Sequence, residues 1–278
     1  MGKIGENWIA TVLIEESKKA KNEARKNALL KITKEIIKRK SGDGIVLFPA
    51  GFFSTGKRKV TKASYYPFIE STIRTLKKHK SRNIDACLGI DGNFINGQAK
   101  DQIAIAFNST GLIAAGRKFN PIFNEKAIIN LAESFNCKEE GLPRIFNFKG
   151  KKIYLSVCYD VFGIKHKNIS NPGVNFTANL IHKFSSRCKC EGDTCTCQAA
   201  SGDVYWVKHG LIGASKQWES RVFASTFFIN RKIPVRWPSG VNWNQGTMHQ
   251  RYWKYSDNPV EALEEITIGN ALVRFFKI

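Results

Sequence analysis

No apolar run in the 278-residue chain approaches the roughly 18–20 residues that a membrane-spanning helix needs. The first residues, Met1-Gly2-Lys3-Ile4-Gly5-Glu6-Asn7-Trp8-Ile9, lack the apolar stretch of a secretory signal. A cytoplasmic protein without a membrane span is the expectation. Internal repeats and low-complexity tracts are also missing, so one domain over 1–278 is expected. Acidic residues are scarce: 23 Asp+Glu face 44 Lys+Arg, for a formal net charge of +21. That imbalance favours non-specific attraction to polyanions. No RNA-binding fingerprint, helix-turn-helix signal or basic–aromatic stripe accompanies it, which leaves a zinc-organised nucleic-acid binder as the weakest functional reading.

What the chain does contain is an alternation of strand and helix patterns. Trp8–Ile14 reads as a strand. Ala24, Ala28, Leu29, Ile32, Ile36 and Ile37 then recur at helical spacing within 15–39. Ile45–Phe48 is a fully apolar strand, 66–80 a second amphipathic helix, and Ala86–Asp91 another strand. Gln102–Phe107 and Leu112–Gly116 flank the turn Asn108-Ser109-Thr110-Gly111. The pattern then predicts helix over 124–135, strands over 153–157 and 173–178, helix over 207–224 and a strand over 225–230. Strand-like pieces close the chain at 265–268 and 271–276. Such alternation indicates a helix-flanked mixed α/β architecture.

The seven cysteines fall into two groups. Cys188, Cys190, Cys195 and Cys197 lie within ten residues, as two C-x-C pairs around Glu191-Gly192-Asp193-Thr194. Four thiolates so close can wrap one tetrahedral Zn²⁺, with disulfides as the alternative. A four-thiolate site is closed, so any zinc there would be structural, pinning an insertion at about 185–200.

Cys87, Cys137 and Cys158 stand apart. Cys158 ends the strand Ile153-Tyr154-Leu155-Ser156-Val157 and is followed by Tyr159-Asp160. In α/β proteins, catalytic groups collect at that strand edge. A thiol there is a nucleophile if its surroundings favour the thiolate, and otherwise a small buried hydrophobe.

Two other strand ends bear on the choice: Pro49-Ala50-Gly51-Phe52-Phe53 and Gly116-Arg117-Lys118-Phe119. Together with Cys158-Tyr159-Asp160, in this order, they resemble the nitrilase, or carbon–nitrogen hydrolase, superfamily. Trp218–Ala224 is similar to the helix that follows the nucleophile there, and the resemblance spans about 8–230. It implies a four-layer αββα sandwich and commonly a homodimer or higher assembly. It also implies hydrolysis of a small amide or nitrile through a covalent thioester. No cofactor is required for that reaction.

On the same resemblance Cys158 is the nucleophile and Lys118 steadies the developing negative charge. Glu125 matches a second acid near the site, with Glu133 competing for that role. Phe52 and Tyr159 are candidate pocket residues. The pattern breaks at one place: proline-glutamate is expected where the chain has Pro49-Ala50, and a methyl group accepts no proton. The break leaves three expectations open: a site without its base, another acid such as Glu125 or Asp160 in its place, or a non-catalytic binding or scaffold protein on the same fold.

Overall fold

The computed structural model describes residues 7–15, 21–79, 83–95, 98–121, 129–184, 206–228, 239–242 and 260–278. In chain order the strands are β1 (Trp8–Glu15), β2 (Gly44–Leu47), β3 (Phe53–Ser54), β4 (Ile84–Asp91), β5 (Phe94–Ile95), β6 (Gln98–Ala99), β7 (Gln102–Asn108) and β8 (Gly111–Arg117). They continue with β9 (Ile145–Phe148), β10 (Lys151–Val157), β11 (Phe176–Phe184), β12 (Arg221–Phe228), β13 (Gly240–Asn242), β14 (Glu264–Ile268) and β15 (Ala271–Lys277). The helices are α1 (Asn22–Arg39), α2 (Lys62–Lys78), α3 (Asp160–His166) and α4 (Ile212–Trp218), the last led in by a π-helical turn at Trp206–Leu211.

The main sheet runs β8-β7-β4-β2-β1-β12-β11-β10-β9. Its two halves meet along a narrow seam. β1 pairs with β2 over Trp8–Thr11 but with β12 only over Leu13–Glu15. Where the strands splay, Ser225 Oγ bridges the halves, accepting from the Val12 N–H at 3.1 Å and donating to the Leu47 carbonyl at 2.6 Å. The halves fold over this seam until β10 faces β7 and β8. Ile9, Leu13, Ile45 and Leu47 share a buried cluster with Leu155, Val157, Leu180 and Phe223 from the other half. The opposite faces of β1, β2, β4 and β7 bury Val12, Val46, Leu88 and Ile105 against α1 and α2. The helices α3 and α4 contact β10 and β12. The result is the expected αββα sandwich, a mixed sheet nearly closed on itself.

Local chemistry explains several boundaries. α1 turns Leu29, Ile32, Ile36 and Ile37 inward and leaves its lysines to solvent. α2 begins earlier than its apolar spacing suggests because Thr61 and Ser64 form a reciprocal capping box. The terminal strands 264–268 and 271–277 pair with each other, and β15 lies antiparallel to β1.

Two expectations need correction. The helix predicted over 207–224 ends at Trp218, and Arg221–Phe228 is strand. Glu219 takes a left-handed backbone (φ +48°) that stops the helix, and Val222, Phe223, Thr226 and Phe227 then pair beside β11. Residues 129–135 carry no helix, and 122–128 lie outside the described residues.

Candidate active site

Five strand ends meet at one edge of the sandwich. β2, β4, β10 and β11 run parallel through the sheet. β8 points the same way because it is antiparallel to β7, itself antiparallel to β4. The residues delivered there are Ala50, Asp91, Lys118, Cys158 and His182.

Cys158 sits on a sharp turn between β10 and α3 with φ +49°, a left-handed conformation that costs a non-glycine residue about 1–2 kcal/mol. The turn is fixed by the Cys158 N–H donating to the Leu180 carbonyl at 2.7 Å. It is fixed again by Asp160, whose carboxylate accepts from the Val157 N–H at 3.0 Å. The same carboxylate accepts from the Phe119 and Asn120 N–H groups at 2.9 and 3.0 Å, and pairs with Arg144. One buried acid therefore ties the Lys118 loop to the Cys158 turn. Its oxygens accept from four donors, which makes Asp160 the tie between the two segments.

Lys118 is 1% exposed and donates to Gln102 Oε1 at 3.1 Å. Its ammonium lies 5.8 Å from the centre of the Tyr159 ring, which stacks on Phe162. Arg117, one residue earlier, is held by Asp101 and by both oxygens of Glu139.

Beside Cys158 stands His182. Its Nε2 is 2.9 Å from Asp91 Oδ1, and the ring is near enough to the Cys158 thiol to favour its thiolate. His182 is the extra residue of a β-bulge: Ile181 pairs with Thr226 and Lys183 with Phe227, and nothing opposes the residue between them. Bulges re-aim a side chain in this way.

Room for the pair comes from the loop after β2. Gly51 has φ +59°, and a Cβ there would stand 2.6 Å from Asp91 Oδ2 and 3.0 Å from His182 Cδ2. The Ala50 N–H donates to the Ile181 carbonyl, the residue just before the histidine.

The electrostatics follow from these contacts. Burial works against the Cys158 thiolate, but the His182 hydrogen bond and the Lys118 ammonium outweigh it and lower the thiol pKa. Burial also opposes a charged His182, yet Asp91 overrides it and pushes the imidazole up to about 10. Both shifts favour the thiolate–imidazolium form of the pair over the neutral one.

No protein-family model and no curated protein sequence matches the chain. Solved structures do. An amidase from Nesterenkonia sp. AN1 superposes with a TM-score of 0.60 at 10% identity, over 99% of this chain and 92% of that one. A glutamine-dependent NAD(+) synthetase from Cytophaga hutchinsonii matches with a TM-score of 0.51 at 13% identity, over 81% of this chain and 37% of that one. The amidase is described as a member of the nitrilase superfamily. The fold is that of the nitrilase superfamily. In two of the matched amidase structures, each a mutant with one glutamate replaced, the active-site cysteine carries an acetamide moiety from fluoroacetamide or an added acrylamide.

On this nitrilase fold the sequence-derived candidates separate. Cys158, Lys118 and Ala50 converge, and Tyr159 is half-buried at the rim. Phe52 does not line the site. Its ring packs with Phe48, Phe53 and Phe227 in the core on the α1 side. Cys87 is buried filler in β4, where burial raises its thiol pKa. Glu133 is exposed, and Glu125 lies outside the described residues. So do Cys188, Cys190, Cys195 and Cys197; among the described residues no cluster suited to a metal occurs.

Sequence reasoning missed His182 and Asp91. The available signal was slight: each lies near the C-terminal end of a strand that carries another ionisable residue, Asp85 in β4 and Lys183 in β11, and the chain has only five histidines.

Proposed function

We propose that the protein hydrolyses the carbon–nitrogen bond of a small amide through a thioester on Cys158, with the Lys118 ammonium facing the oxyanion. The observation that carries this reading is the Cys158 thiol itself. It is presented on a strained turn, its pKa is lowered, and a buried lysine stands beside it. Strained nucleophile turns persist where surrounding structure holds them, and here Asp160 and the Leu180 carbonyl do so. The solved amidases whose cysteine takes up amide-derived groups on the same fold support the substrate class.

Incubation with fluoroacetamide or acrylamide followed by peptide mass mapping is expected to find an adduct on Cys158 and none on buried Cys87. Cys158→Ala is expected to abolish it. Ammonia release from a panel of small aliphatic amides measures turnover directly. No adduct and no turnover at neutral pH would remove the proposal.

Lys118→Met preserves length but removes the cation that faces the developing oxyanion. It is expected to lower kcat by roughly 100- to 1000-fold. A change confined to KM would assign Lys118 to substrate binding instead.

A further inference from the structure

We propose that His182, oriented by Asp91, is the general acid–base that serves Cys158, standing in for the carboxylate that position 50 lacks. The proposal rests on the reading of Cys158 as a hydrolytic nucleophile. It converts the site from a carboxylate-assisted thiol into a Cys–His–Asp relay on the nitrilase fold.

The geometry supplies each part. Asp91 is 3% exposed at the end of β4 and faces Nε2 of the imidazole at 2.9 Å. With Nε2 engaged there, Nδ1 is the ring nitrogen left for the thiol. A group that orients a base, and a base in contact with a nucleophile, is the general arrangement of nucleophilic catalysis.

Three local departures from regular structure are needed to build it, and all converge on this pair. β11 bulges at His182. Gly51 adopts φ +59° and has no side chain to strike Asp91. Position 50, whose N–H is bonded to the Ile181 carbonyl, carries only a methyl group. A buried ion pair serving stability alone does not require that the histidine also reach the thiol.

The charged groups around His182 agree with the assignment. Asp91 approaches from β4 and Cys158 from the end of β10, while Lys118 acts on the sulfur from the end of β8. Arg25 of α1 spends its guanidinium on the Gly51 and Phe52 carbonyls at 2.6 and 2.9 Å. Asp91 favours the imidazolium, and Lys118 favours the thiolate.

The reaction then balances. The thiol proton passes to Nδ1, and the sulfur lone pair forms an S–C bond to the amide carbon. The C=O π electrons move onto oxygen, opposite Lys118. Collapse of this adduct restores C=O and breaks the C–N bond, and the departing amine takes the proton from His182. Water then adds to the thioester carbon as His182 takes one of its protons. A second collapse breaks the S–C bond, and the released thiolate faces the imidazolium again. The sum is amide plus water giving carboxylic acid plus amine.

The test needs no substrate. The rate of Cys158 alkylation by iodoacetamide is followed from pH 5 to 10 by mass spectrometry, for the wild-type protein, His182→Gln and Asp91→Asn. The wild-type rate is expected to reach its plateau at lower pH than that of either variant. His182→Gln is expected to return the thiol toward an ordinary value near ~8.5, cutting the rate at pH 6.5 by up to about 100-fold. Asp91→Asn, which keeps the ring but not its charge partner, is expected to fall between and serves if His182→Gln does not fold.

A purely structural His182–Asp91 pair predicts variants with lower melting temperatures and an unchanged alkylation profile. That result overturns the proposal, as does a wild-type profile that rises only near ~8.5. Amide turnover missing from the wild type while the alkylation shift is present counts against the hydrolase reading alone, and leaves His182 as the proton partner of Cys158. In an active protein, turnover is also expected to decline above about pH 10 as His182 loses the proton it gives to the leaving amine.

Discussion

Asp160→Ala is expected to destabilise the protein by about 3–5 kcal/mol, and to separate the two groups that the chemistry needs together. The side chain is fully buried and its carboxylate is paired with the equally buried Arg144. Truncation leaves that guanidinium without its counter-charge in a site that water does not reach. Arg144 keeps its hydrogen bonds to the Leu155 and Arg117 carbonyls at 2.6 and 2.9 Å, but neutral acceptors do not replace a carboxylate. The N–H groups of Phe119, Asn120 and Val157 lose their acceptor at the same time.

The functional consequence follows from which segments those N–H groups belong to. Phe119 and Asn120 directly follow Lys118, and Val157 directly precedes Cys158. Without the shared carboxylate, the lysine loop and the nucleophile turn are no longer registered against each other. Urea denaturation measures the first effect and alkylation of Cys158 at pH 6.5 the second. Asp160→Asn, which keeps an oxygen for the amides but loses the charge facing Arg144, is expected to cost less on both. A variant Asp160→Ala with wild-type stability and wild-type thiol reactivity would show that the Arg144–Asp160 pair does not hold the site.

The same region shows how far sequence alone reaches. Cys158 and Lys118 were legible because each ends an apolar strand and their order along the chain repeats a family pattern. Their meeting at one edge follows from strand direction, which the alternation of helices and strands already implied. His182 was not legible because its placement depends on a bulge. A strict two-residue alternation along β11 assigns faces by parity, and one inserted residue reverses that parity for everything beyond it. Asp91 was hidden differently: it closes a strand buried along its whole length, where an acid reads as an exception with no partner in view. The partner comes from a strand some ninety positions later in the sequence.

The boundary between α4 and β12 failed for a related reason. Trp218–Ala224 is compatible with either element until the left-handed backbone at Glu219 and the pairing with β11 decide it.

Ala50→Glu, which places a carboxylate where the resemblance to the nitrilase superfamily leads one to expect it, is expected to lower both stability and Cys158 reactivity. Ala50 is 1% exposed and belongs to the same buried cluster as Cys158. The packing around it is close enough that a Cβ on Gly89 would stand 2.3 Å from the Ala50 Cα. Burying a further carboxylate there costs several kcal/mol unless it finds a partner, and the imidazolium is already paired with Asp91. A second anion beside the sulfur also opposes the thiolate and moves the thiol pKa back up.

Urea denaturation and alkylation at pH 6.5 are expected to show both losses, with amide turnover falling in parallel. Combining Ala50→Glu with His182→Gln removes one of the two groups that compete for the space, and leaves Lys118 as a cation the glutamate can face. The double variant is therefore expected to be less impaired than the two single effects added together, by about 0.5–3 kcal/mol of coupling. Turnover by Ala50→Glu above the wild-type level would mean that the site lacks a base, and that His182 does not supply one. A loss in the single variant with positive coupling in the double means that the histidine and a glutamate at position 50 compete for the same place beside Cys158.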